Sequence, residues 1–291
     1  MTGRAAQVRA SVLAFGAAFV LSVVGTTGLV TVVARTTAGG DASRVAEAEK
    51  RFALSSVGLM ACGCLEGLLL LGVALVAAHG SGVRAGAAQA ETTRDGMAWL
   101  RLRGAAPPAL VWGATVAGLV GLTFAVSAAL DLAARAGVFG ARAGVLELLA
   151  GALRGLSGGR LALAVVTLAL VPAVGEEALF RGFVQRGLVA GLGRWPGIAA
   201  TSLAFGLMHR DLVQGAGAVV AGVFLGWVVE AAGSLGPAIA AHAANNATFV
   251  ALAAAGAAGG RPGPVEALAL AAGAAFCASA VIAIRASTRA S

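Results

Sequence analysis

Apolar runs long enough to cross a lipid bilayer recur from one end of this 291-residue chain to the other. A helix rises 1.5 Å per residue, so about 20 apolar residues cover a hydrocarbon core of ~30 Å. A segment in lipid must satisfy its own backbone donors and acceptors, and long unbroken apolar runs do so as helices. The candidate spans are Ser11 to Ala34, Ala53 to Ala78, Ala109 to Leu130, Leu161 to Ala190, Pro196 to Met208, Leu212 to Ala232, Pro237 to Ala257 and Val265 to Ile284. The expected fold is all-α, a polytopic transmembrane helical bundle of about eight spans. The fifth run is too short to cross alone, so it either continues past His209 or stops inside the membrane.

Composition agrees, because a chain that is 59% hydrophobic and 12% charged lies outside the range of soluble globular proteins. Its net charge of +8 comes from 20 Arg and one Lys scattered through the connections between runs. That scatter argues against nucleic acid and fits Arg anchoring helix ends to anionic headgroups, so lipid is the expected surround. The basic residues divide evenly between alternate sides and do not orient the chain. Cys62, Cys64 and Cys277 lie in apolar runs, where a thiol behaves as a small hydrophobe and no disulfide framework is implied. The first run exceeds the apolar core of a secretory signal and reads as a retained span. Residues 1–160 read as N-terminal spans, with Val145 to Leu156 either an interfacial amphipathic helix or a loop. Residues 161–257 read as a second group of spans, and 258–291 as a last span with a short tail.

Ionisable side chains are costly in the bilayer centre, by about 2.5 kcal/mol or more on insertion scales, so those inside apolar runs are candidates for function. They gather between Leu161 and Ala257: Glu176, Glu177, Arg181, His209, Glu230, His242, Asn245 and Asn246. Two of the three histidines and both asparagines of the chain fall in this stretch. Glu177 and Arg181 are four apart on one helix and can pair, whereas Glu176 projects about 100° away and stays available to act on water. Pro172, one turn earlier, removes a backbone donor and is expected to disturb the helix. Phe205 and His209 share a face of a second helix, and His242 and Asn246 a face of a third. Counted from the turn near Gly193, Glu176 and His209 lie at matching depths of about 25 and 24 Å on neighbouring antiparallel helices.

These three elements, in this order, resemble the motifs of the CPBP family (CAAX proteases and bacteriocin-processing enzymes), also called Abi or type II CAAX prenyl endopeptidase-like proteins. Glu176, Glu177 and Arg181 match Glu-Glu-x-x-x-Arg, Phe205 and His209 match Phe-x-x-x-His, and His242 with Asn246 match His-x-x-x-Asn. The resemblance covers roughly Leu161 to Val250. It implies hydrolysis of peptide bonds in a membrane-associated protein or peptide, within the cell membrane, with Glu176, Glu177, His209, His242 and Asn246 as the catalytic set. Glu176 and His209 would polarise the attacking water, and His242 and Asn246 would hold the oxyanion. Glu177 with Arg181, and Phe205, would support them. A zinc ion held by Glu176, His209 and His242 and a metal-free glutamate mechanism are equally compatible with the resemblance, although the His-Glu-x-x-His helix of ordinary zinc proteases is absent.

Three other readings compete with this one. The polar groups of a catalytically silent scaffold could bind a partner, and paired acids on Gly-rich helices also mark ion-coupled transporters. A serine protease reading rests on Gly155-Leu-Ser-Gly158, which resembles the Gly-x-Ser-Gly of rhomboids. Ser157 sits between Arg154 and Arg160, however, and this reading leaves the acidic pair unexplained.

Overall fold

The computed structural model describes residues 3–39, 41–84, 100–102, 106–137, 145–257 and 265–289. All regular structure among them is helical. The helices are α1 (Gly3–Thr37), α2 (Ala42–Ala53), α3 (Ser56–Arg84), α4 (Ala109–Arg135), α5 (Val145–Leu153), α6 (Gly158–Leu192), α7 (Arg194–Met208), α8 (Leu212–Ala232), α9 (Gly236–Ala254) and α10 (Val265–Arg289). Every expected span has its helix. By length and apolarity five of them suffice to cross a membrane: α1, α3, α4, α6 and α8. Of the rest, α7 has only 15 residues, and α9 interrupts its apolar surface with His242, Asn245 and Asn246. The protein is an integral membrane helical bundle.

Its outside is what lipid requires. Leu13, Val76, Leu207, Leu212 and Ile282 stand well exposed on the described surface, an arrangement costly in water and neutral against acyl chains. The polar stretch from Arg35 to Arg51 is not a plain connection. It holds α2, whose first turn is capped by Asp41 accepting from the Ser43 backbone N–H at 2.9 Å, and which buries no residue. The segment near Val145 forms the short helix α5. Most of the connection from His79 to Arg103, and residues 258–264, lie outside the described residues.

The helix α6 is the centre of the bundle and packs against α1, α3, α7, α8 and α9. Its contact with α3 is backbone to backbone: a Cβ on Gly67 would stand 2.7 Å from the Val171 carbonyl oxygen, and one on Gly175 would overlap Gly67. Small residues allow this approach, and it fixes the register of α6 immediately before Glu176. The expected disturbance at Pro172 appears as a π-helical turn over Val166–Leu170, which widens the helix where the proline ring must be accommodated. A second π-helical stretch, Ala178–Val184, follows the acidic pair. The chain then reverses at Gly193, whose φ of 92° suits glycine, and α7 returns antiparallel to α6.

Candidate active site

Three helices deliver the candidate residues to one place. Glu177 on α6 is wholly buried, and its Oε1 accepts from Arg181 NH1 at 2.9 Å and from His242 Nδ1 at 2.8 Å. The first of these is the intrahelical pair that the spacing predicts. The second, reaching across to α9, was not legible from spacing. A buried carboxylate with a guanidinium on one side and an imidazole on the other is the arrangement that makes a buried charge tolerable. It also holds the His242 ring with its other nitrogen toward Glu176, at 3.7 Å from Nε2 to Oε2.

Glu176 differs from its neighbour. Oε2 of each is enclosed without a hydrogen-bond partner, but Glu177 engages its other oxygen twice whereas Glu176 makes no hydrogen bond among the described residues, and the Glu176 side chain retains 15% exposure against none for Glu177. One carboxylate is thus locked into structure and the other is left with an open lone pair beside the His242 imidazole.

His209 follows the last residue of α7, and its Nδ1 is 2.9 Å from the Phe205 carbonyl oxygen. A carbonyl can only accept, so Nδ1 donates this bond, and Nε2 makes no hydrogen bond among the described residues. Phe205 is the hub between the two histidines. Its ring meets His209 edge-on at 4.9 Å and His242 at 5.9 Å between centroids, contacts Phe180 at 5.1 Å, and carries the Arg181 guanidinium over its face at 4.3 Å. The cation–π contact stabilises a guanidinium whose Nε and NH2 have no other partner. Asn246 lies half-buried one turn beyond His242 on α9. Among the described residues its side chain makes no hydrogen bond.

The helix α8 makes room for this chemistry with glycine. A Cβ on Gly222 would come within 3.2 Å of Arg181 NH2 and 3.0 Å of Ser202. One turn along, Gly226 gives its carbonyl to Gln185 Nε2 at 3.0 Å, and Gln185 also donates to Glu230, which pairs with Arg101 at 3.1 Å. Glu177, Arg181 and Gln185 therefore form one polar stripe along α6. Gln185 was missed because it carries no charge, although its i, i+4 spacing from Arg181 could have found it. Glu66 on α3 was also missed; it adjoins Gly67, whose backbone meets that of Gly175, the residue before Glu176.

Among the described residues no three His, Cys, Asp or Glu side chains are gathered so as to hold a metal ion. Each imidazole engages Nδ1, with the Phe205 carbonyl for His209 and Glu177 for His242, and keeps Nε2 free, 3.7 Å from Glu176 Oε2 in the case of His242; rings held in this way can act on water directly or ligate zinc through Nε2. Ser157 begins α6, 19 residues before Glu176, which puts it about 28 Å away along the helix. It is out of reach of His242, and the serine reading fails on that distance.

Residues 158–248 match the family model described as type II CAAX prenyl endopeptidase Rce1-like. This segment belongs to the CAAX protease family. The matched residues run from the start of α6 into α9 and include Glu176, Glu177, Arg181, Phe205, His209, His242 and Asn246. No curated protein and no solved structure matches the chain. The CAAX-protease segment thus contains all three helices that meet around Phe205, while α1 to α5 and α10 lie outside it.

Proposed function

We propose that the protein is an intramembrane endopeptidase that cleaves a membrane-associated protein or peptide with water activated by Glu176 and His209, without a metal ion. The observation that carries this reading is the division of labour between adjacent carboxylates: Glu177 bridges Arg181 and His242, while Glu176 keeps an unpartnered oxygen facing His242.

In this mechanism Glu176 takes a proton from water as the oxygen attacks the scissile carbonyl, and His209 Nε2 orients that water. His242, held by Glu177, donates from Nε2 in its imidazolium form to the developing oxyanion, and the Asn246 amide supplies a second donor. The proton taken by Glu176 then passes to the leaving amine, which completes hydrolysis. Glu177, Arg181 and Phe205 position these groups and do not touch the reacting atoms. The Arg-over-Lys and Ala/Gly bias of the sequence fits a bacterial cell membrane, where the substrate is a membrane-bound precursor peptide.

The test is cleavage of a membrane-tethered fluorogenic peptide library by the protein purified in detergent. The reading expects internal cleavage, lost in His209→Ala with helicity unchanged. Coupled proton or sodium flux in liposomes, with no proteolysis, would instead establish a transporter.

A further inference from the structure

Hydrolysis consumes one water per bond, yet the carboxylates sit on the central helix of an apolar bundle. A cavity of about 340 Å³ lies between α1, α2, α3 and the turn after α7. Thr26, Thr31, Glu49, Cys62, Glu66 and Arg210 are among the residues that line it. This polarity is out of keeping with lipid-facing helices. Thr31 donates to Glu49 at 2.9 Å and Ser22 donates to Glu66, so each carboxylate is held by a hydroxyl of α1. Glu66 precedes Gly67, the residue in backbone contact with α6 at Gly175, which itself directly precedes Glu176. Arg210, with a φ of 56°, directly follows His209.

The length of α7 explains why the cavity exists. Its 15 residues rise about 22 Å, short of a hydrocarbon core of ~30 Å, so the helix ends before the far surface, and Glu49 of α2 and Arg210 both line the space there. Polar walls are costly in that space unless water wets them, and the Glu176 oxygen without a protein partner needs the same solvent.

We infer that this cavity is an aqueous vestibule, built by α1 to α3 outside the CAAX-protease segment, that carries water to Glu176 and His209. The inference rests on the hydrolase reading for its purpose, but the presence of water is tested without reference to catalysis. Cys62 lines the vestibule, whereas Cys64, two residues on, and Cys277 on α10 do not.

Full-length proteins retaining one native cysteine each, with the other two replaced by alanine, are reconstituted in liposomes. They are treated with a charged methanethiosulfonate, which reacts only where water reaches. Cys62 is expected to label at least tenfold faster than Cys64 or Cys277, and Thr26→Leu, which fills the cavity, is expected to slow both this labelling and kcat while leaving KM unchanged. Labelling of Cys62 no faster than of Cys277 overturns the vestibule whatever the proteolytic activity. Fast labelling in a protein that hydrolyses nothing keeps the vestibule and removes the hydrolase reading.

Discussion

Replacing Arg181 by methionine isolates the interaction on which the site's geometry depends. Arg181 and Glu177 have no exposed side-chain surface and stand 2.9 Å apart. At an effective dielectric of 20 a pair at that distance attracts by about 6 kcal/mol, most of it offset by the desolvation of both ions. What a single substitution reveals is the cost of stranding the other charge, typically about 3–5 kcal/mol. Methionine roughly preserves the volume over the Phe205 ring, so lost packing adds little. Arg181→Met is therefore expected to lower the unfolding free energy by about 3–5 kcal/mol, read by reversible SDS titration, and to reduce kcat because Glu177 no longer holds His242 in place. The double variant Arg181→Met with Glu177→Gln removes both charges and should recover most of that stability without recovering activity. A single variant as stable as the wild type, or a double variant less stable than the single one, refutes the reasoning.

Other outcomes follow from the same contacts. Phe205→Leu keeps an apolar side chain but removes the guanidinium's aromatic face, and should cost about 0.5–2 kcal/mol in the same titration with a fall in kcat. Gly175→Val drives a side chain into Gly67 and should cost about 1–3 kcal/mol, with a lower kcat because Glu176 is displaced; unchanged stability would contradict the close approach of α3 and α6. Metal analysis of purified, active protein should find no stoichiometric zinc, and chelation should leave proteolysis unaffected; one zinc per chain whose removal abolishes cleavage would overturn the metal-free mechanism.

Much of this molecule was legible from its sequence because lipid imposes a simple requirement. The length of each apolar run located a helix, and the cost of charge in hydrocarbon singled out Glu176, Glu177, His209 and His242. The Glu177–Arg181 pair followed from helical spacing alone. The contact between Glu177 and His242 did not, because residues 65 positions apart meet only through the packing of α6 with α9. Glu66 met the same criterion of a charge inside an apolar run, but it stands alone in its run on α3, far along the chain from the stretch in which the other charges gather. Its nearness to Glu176 depends on Gly67 and Gly175 bringing two backbones together, which no local pattern announces. The helix α2 escaped because a search for spans passes over a short helix that buries nothing.

The central claim is that Glu176, and not its buried neighbour, acts on water. The measurement that reaches it most directly is the single-turnover cleavage rate of Glu176→Gln, a change that keeps shape and removes the base, alongside its SDS unfolding curve. The account predicts a rate lower by about 10²–10⁴-fold in a protein of wild-type stability. A rate within tenfold of the wild type in a folded protein would contradict it.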